Sequence, residues 1–241
     1  MKTTTETTVR EYAIENPSSI RVFESLGIDY CCGGKKSLSD ACSSGNIDVN
    51  RVLELLENAD RESKTPDSGN WKDKPLSDIA AHIVEKHHGF ARRETPRIAV
   101  LLSRVIERHG SSNPEVAQIE QLFTAVTQEL ATHMLKEEQV LFPYIGQMEQ
   151  AVLNGRSLPP AFFGSVMRPI ANMMAEHDDA AALLSQIRQL SGGFTAPAGA
   201  CPTFRGLYHG LEEFERDLHR HVHLENNILF PRAMEMENAG K

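Results

Sequence analysis

His133-Met-Leu-Lys-Glu137-Glu-Gln-Val-Leu141-Phe142-Pro143 and His221-Val-His-Leu-Glu225-Asn-Asn-Ile-Leu229-Phe230-Pro231 are one phrase written twice. Each reads His, three residues, Glu, three residues, Leu-Phe-Pro. Positions i and i+4 share a helix face, so each copy points one imidazole and one carboxylate the same way, about 6 Å apart along the axis. Stepping by threes and fours through the first copy gives Ile119, Leu122, Val126, Leu130, His133, Glu137, Val140 and Tyr144. The second gives Leu207, Leu211, Phe214, Leu218, His221, Glu225 and Ile228. Both are apolar stripes of helical period with His and Glu set inside them. On a solvated face an i,i+4 His–Glu pair is an ordinary surface contact. On an apolar face the carboxylate is costly unless a cation or hydrogen bonds compensate it. Two copies, both on apolar faces, favour metal ligation.

A lone histidine precedes each phrase: His88 stands 45 residues before His133, and His177 stands 44 before His221. His177 lies on an apolar stripe with Ile170, Met173 and Leu184. His88 falls with Val84, Ala91, Ile98 and Leu102, whereas the stripe of His87 carries Glu94 and Arg97. His88 is therefore read as the inward residue. Pro96 is expected to disturb the register beyond it.

The resulting set is His88, His133, Glu137, His177, His221 and Glu225, too many ligands for one tetrahedral zinc. It suits two metal ions bridged by both carboxylates. The order of the repeat suggests pairing His88 with His133 and His177 with His221. Imidazole and carboxylate mixed in a bundle core fit two iron ions best, with manganese the weaker choice. Positions left open could take an oxo or hydroxo bridge and a small ligand such as O2 or nitric oxide. Glu138, Glu176, Asp178 and Asp179 are weaker candidates, as acceptors for ligand N–H groups. His82, His87, His109, His209, His219 and His223 lie off the inward stripes and read as surface or structural.

The expected fold is all-α. Residues 1–60 read as a small helical unit, 61–75 as a linker rich in charge, Ser, Thr, Gly and Pro, and 76–241 as a four-helix bundle. Residues 1–8 are Thr-rich and expected to fray. The bundle helices are placed at about 76–108, 114–148, 163–191 and 203–237, joined up-down-up-down. The net charge of −8, with both signs intermixed, disfavours a nucleic-acid surface. No apolar run reaches a membrane span and no signal peptide opens the chain, which points to the cytoplasm and to cysteines that remain thiols. Cys31-Cys32, followed by Gly33-Gly34, lies in a turn between short helices. One thiol could simply pack there, but a vicinal pair outside an apolar face suits metal or redox transfer. The isolated Cys42 and Cys201 read as structural.

Ile28-Asp-Tyr-Cys-Cys-Gly-Gly-Lys35 resembles the N-terminal signature of the RIC proteins, which repair iron centres. The two His-x-x-x-Glu phrases resemble their hemerythrin-like ligand motifs, and Ala81-His-Ile-Val-Glu-Lys-His-His88 and Glu176-His177-Asp178 resemble their lone-His helices. The family commonly has Tyr-His where this chain has His87-His88, which favours His88. A longer stretch around Gln147 to Met167 departs from the family. The resemblance implies a hemerythrin-like bundle, a four-His, two-Glu di-iron site and a cytoplasmic homodimer. It also implies repair of iron–sulfur clusters damaged by nitrosative or oxidative stress, with those cluster proteins as partners and no nucleic acid or membrane. Three mechanisms stay open: iron donation, nitric oxide binding or reduction, and oxygen or redox sensing through a protein partner. Whether the protein is an enzyme is left undecided.

Overall fold

The computed structural model describes residues 4–62 and 71–240. The described residues form eight helices and no strand, with a short 3-10 turn at Trp71–Asp73 and loops between them. The first four are short: α1 Val9–Glu15, α2 Ser19–Leu26, α3 Leu38–Ser44 and α4 Val49–Glu62. Helix α2 ends at Gly27, whose φ of 67° supplies the left-handed turn that other residues resist. Of the Thr-rich start expected to fray, residues 1–3 lie outside the described residues, and residues 4–8 are held in place. Thr8 forms a capping box with Glu11 and a lone antiparallel bridge with Ser37. Ser37 in turn caps α3 through the Asp40 N–H. The caps satisfy amide groups that would otherwise be orphaned, so the segment gains partners on both sides.

Four long helices follow. Helix α5 spans 76–109, α6 spans 115–153, α7 is Met167–Leu190 and α8 spans 202–239. Helices α5 and α6 pack together, as do α6 with α7 and α8 with α5. Helix α7 starts later than the expected 163, because Gly164 takes a left-handed φ of 82° that a helix cannot run through, and its start is tied to α8. The Glu237 carboxylate, near the end of α8, accepts from Val166 N and Ser165 Oγ at 3.0 and 2.6 Å. Glu149 does the same for α5 near the end of α6, accepting from Leu76 N and Ser77 N at 2.6 and 3.0 Å. Each carboxylate stands 12 residues beyond the glutamate of its phrase. The sequence repeat is thus also a repeat of helix capping.

Three of the bundle helices contain one wide π-helical turn: Ile83–His88 in α5, Glu137–Leu141 in α6 and Glu225–Leu229 in α8. In the last two, the amide before the proline bonds five residues back, Phe142 to Glu137 and Phe230 to Glu225. Pro143 and Pro231 lack an N–H, and their rings crowd the carbonyl four residues earlier. A wide turn there relieves both problems, which accounts for the Leu-Phe-Pro ending of each phrase. The extra residue shifts the register. The stripe expected through Val140 passes instead through Leu141, which is 2 % exposed. Helix α5 continues through Pro96 to His109.

Of the expected linker 61–75, residues 63–70 lie outside the described residues. Its final part is tied down: Lys72 pairs with Glu15, and Arg232 donates to the Trp71 and Lys74 carbonyls at 3.4 and 2.7 Å. The short-helix unit also touches α8. Arg220 forms a two-pronged pair with Glu24, which accepts from the Tyr30 hydroxyl, and Asn227 donates to the Tyr30 carbonyl at 2.9 Å. The apolar core falls into two clusters. One joins the short helices to Ala91, Leu130 and Leu218; the other surrounds Ile83, Leu141 and Leu229. The polar layer described next lies at the junction of the two along α5, α6 and α8.

Candidate metal centre

All six residues singled out in the repeat are buried at this level, and Glu137 and Glu225 are each 0 % exposed. Their ligating atoms form two overlapping groups, His88–His221 and His133–His177, each with both Glu137 and Glu225. Within the groups the Nε2 atoms of His88 and His221 are 3.3 Å apart, and those of His133 and His177 are 3.0 Å apart. The pairing suggested by the order of the repeat is therefore wrong. Each group joins the lone His of one half to the phrase His of the other half. In a closed antiparallel bundle α5 lies against α8, so neighbours in space are not successive in the chain.

The donor chemistry fits metal ions. Two imidazole nitrogens on one ion at about 2.1 Å, at or slightly above a right angle, stand about 3 Å apart. Glu137 Oε1 and Oε2 and Glu225 Oε2 are buried and have no hydrogen-bond partner. Imidazole nitrogens lie 3.2, 3.4 and 3.1 Å from these oxygens, but not in hydrogen-bonding directions. Two carboxylates in a core, with three oxygens unsatisfied, call for positive charge between them.

The ion-free electrostatics lead to the same conclusion. Burial opposes a charge on His133, yet Glu137, Glu225 and Glu176 outweigh it and lift the imidazole to about 9. His88 is raised in the same way by Glu137 and Glu138. Burial pushes His221 down. Despite its own burial, Glu225 is drawn well below the usual carboxylate range by His221 and His177. Without another cation, protons take up the balancing charge.

The outer nitrogens of three histidines are also fixed. His88 Nδ1 meets Glu138 at 2.6 Å, and Arg92 backs that carboxylate. His133 Nδ1 meets Glu176 at 2.8 Å, with Lys136 behind it. His177 Nδ1 meets Asn226 Oδ1 at 2.9 Å. Such acceptors set the tautomer that leaves Nε2 free to ligate. Glu138 and Glu176 were anticipated in this role; Asp178 and Asp179 are exposed and take no part. Asn226 was missed. It follows Glu225 as Glu138 follows Glu137, so the repeat carried the signal.

Of the surface or structural roles expected for His87, the structure gives the structural one. It is 8 % exposed, meets Asp217 at 3.1 Å and stacks on His221 with centroids 5.7 Å apart. The wide turn Ile83–His88 brings both adjacent histidines inward, which a 3.6-residue period cannot represent.

The Cys31–Cys32 loop is built around Asp29, whose carboxylate accepts the amides of Cys31, Cys32 and Gly33 at 3.0, 3.0 and 2.8 Å. A Cβ on Gly34 would stand 2.6 Å from the Tyr30 carbonyl, so the backbone there requires glycine. The two Sγ atoms are 3.9 Å apart, with Cys31 buried and Cys32 partly open. The neighbouring Cys32 thiol, then burial, holds the Cys31 thiol well above its ordinary range.

A helical bundle with four buried histidines and two glutamates on a shared level defines a hemerythrin-like class of protein. Residues 79–233 match the family model described as the hemerythrin HHE cation-binding domain, and residues 5–60 match ScdA_N, a domain of unknown function. Over 229 residues the chain is 37 % identical to the iron-sulfur cluster repair protein YtfE of Pectobacterium atrosepticum, covering 94 % of this chain and 96 % of that one. It is 35 % identical over 234 residues to the protein of the same name from Musicola paradisiaca, covering 96 % and 98 % of the two chains. The chain belongs to this family, the hemerythrin-like RIC proteins. Among the described residues, no helix is long and apolar enough to cross a membrane.

Proposed function

We propose that His88, His133, Glu137, His177, His221 and Glu225 hold two iron ions, and that the protein returns iron to damaged iron–sulfur clusters. The observation that carries this reading is the pair of fully buried carboxylates, common to both imidazole pairs and with three unsatisfied oxygens. The printed names of the relatives, iron-sulfur cluster repair proteins, support the recipient class. Iron held there supplies an exchangeable, redox-active cation with room for a small ligand. The protein's part is to hold the histidines with Nε2 turned inward, through Glu138, Glu176 and Asn226 on their outer nitrogens, and to exclude bulk water. Cys31 and Cys32 are proposed to pass iron or electrons, from a loop anchored on the helix that carries His221 and Glu225.

The test is metal analysis of the full chain prepared without oxygen. The chain is then mixed with a cluster protein whose cluster nitric oxide has damaged. Two irons per chain are expected, removable by a chelator and lost as the recipient's cluster absorbance returns. Iron that no chelator or recipient removes, together with N2O formed under reductant and nitric oxide, would replace donation with reduction.

A further inference from the structure

Cys201 stands apart from the metal centre. It immediately precedes the helical run Pro202–Leu224, 20 residues and about 30 Å along the axis from His221. Its Sγ lies 3.3 Å from Nε2 of His109, the last residue of Gly89–His109. The His109 ring is held edge-on against Phe204, with centroids 5.7 Å apart. The thiol is partly open and lines a cavity of about 440 Å³ together with Arg104, Glu107, Arg108 and Thr203. That volume lies within the range of small-molecule pockets. Two guanidinium groups against one carboxylate give the lining a positive excess.

Cys31 and Cys42 do not share this setting. Cys42 is raised by burial, and Cys31 is raised by Cys32 and burial. At Cys201, the Phe204 amide, followed by the His109 ring and the Thr203 amide, outweighs desolvation and brings the thiol down to about 7. A partly open, low-lying thiol beside a base and two arginines has the features of a reactive cysteine rather than a packing residue.

We propose that Cys201 is a redox modification site that forms a mixed disulfide with an anionic low-molecular-weight disulfide. His109 acts as the base, and Arg104 and Arg108 bind the carboxylates of the incoming molecule. The Cys201 thiolate attacks one sulfur of R–S–S–R. The Cys201 Sγ–S bond forms, the original S–S bond breaks, and the leaving thiolate takes the proton that Cys201 had given to His109. Cys201 is oxidised and one R–S group is reduced, so the incoming disulfide is the only oxidant required. Arginine pairs hold carboxylates by charge-assisted hydrogen bonds, which sets the class of ligand. The site is independent of the iron reading, since none of its residues belongs to the metal layer.

The experiment treats the full chain with glutathione disulfide or with neutral 2-hydroxyethyl disulfide, and maps adducts by peptide mass. Cys201 is expected to be modified before Cys31, Cys32 and Cys42. Its alkylation by iodoacetamide should be half-maximal near pH 7, with Arg104, Glu107, Arg108 and His109 the charged groups facing it. In R104Q/R108Q the rate with glutathione disulfide, relative to the neutral disulfide, should fall about tenfold. His109→Phe keeps the ring contact with Phe204 and should shift the alkylation midpoint upward. A wild-type midpoint near the ordinary thiol value of about 8.5 would overturn the proposal. An unchanged ratio of the two disulfide rates in the arginine variant would overturn the anionic ligand class.

Discussion

His88 Nε2 lies 3.3 Å from His221 Nε2, although 133 residues separate them and they sit on the first and last helices of the bundle. His133 and His177 make the complementary pair on the two middle helices. Each proposed ion is therefore held between two halves of the repeat, and closure of the bundle completes both positions at once.

This pairing predicts an unusual pattern of metal loss. His88→Ala and His221→Ala should each weaken the same position, and the double variant H88A/H221A should retain about as much metal as either alone. H88A/H133A should lose both ions, because it damages both positions. Metal-to-protein ratios by mass spectrometry check this as a double-mutant cycle, in which partners couple and independent sites add. Additive loss for His88 with His221 would restore the pairing by sequence order.

Glu137 and Glu225 predict opposite effects on metal and on stability. Replacing both by Met, together with His88 and His133 by Leu, removes the buried carboxylates along with the imidazoles they hold charged, while roughly keeping volume. The metal-free variant should be more stable than the metal-free wild type by about 1–4 kcal/mol, and it should bind no metal. Thermal unfolding of both metal-free proteins reads this. A less stable variant would mean that the carboxylates serve the fold rather than an ion.

The pH dependence follows from the imidazoles. In the ion-free protein His133 lies at about 9 and His88 is raised, both by neighbouring carboxylates. Ligation requires the neutral ring, so metal uptake at pH 7–8 should release about one proton or more per chain. Affinity should fall as pH falls, since protons then hold the site more firmly. Calorimetric titration in two buffers of different ionisation enthalpy measures the release. Uptake without proton release would place the metal elsewhere.

Much of this site could be read in the sequence, because the constraint that shapes it is local. An i,i+4 His–Glu pair within an apolar stripe puts His133, Glu137, His221 and Glu225 inward wherever the helices lie. The pairing could not be read, because it depends on which helices become neighbours. The inward positions of His87 and Leu141 were lost at the wide turns, where the 3.6-residue period fails by one position. Pro143 and Pro231 are visible in the sequence, whereas the wide turns at Glu137 and Glu225 that accommodate them are not. Asn226, Glu149 and Glu237 repeat at fixed offsets from the phrase. Their inward role is not legible there, because polar residues on a helix ordinarily face water.

Glu149 tests the capping half of the repeat. Its carboxylate is 7 % exposed and accepts from Leu76 N and Ser77 N. Burial raises its pKa, but the Ser77 side chain and the two amides outweigh this and hold it below the ordinary value. A carboxyl depressed in the folded state stabilises above its unfolded value of about 4.5, and that contribution is lost as pH falls through the folded value. Glu149→Gln should cost about 1–3 kcal/mol at pH 7, and the gap to wild type should close in acid. Denaturant unfolding at pH 7 and pH 3 decides it. A constant gap would assign the loss to packing.

Two variants separate the chemistry of the cysteine loop from its shape. Replacing Cys31 and Cys32 by Ala removes both thiols but leaves Asp29 with its three backbone donors. Metal content and ligand-field absorption should therefore be unchanged, while transfer of iron to a damaged cluster falls severalfold. Gly34→Ala keeps both thiols but places a methyl 2.6 Å from the Tyr30 carbonyl, the same carbonyl that Asn227 holds. The loop must then shift from α8, and transfer should fall with thiol reactivity intact. If the double Ala variant transfers iron as fast as wild type, the thiols have no part in it. If Gly34→Ala also has no effect, the docking of this loop on α8 serves stability alone.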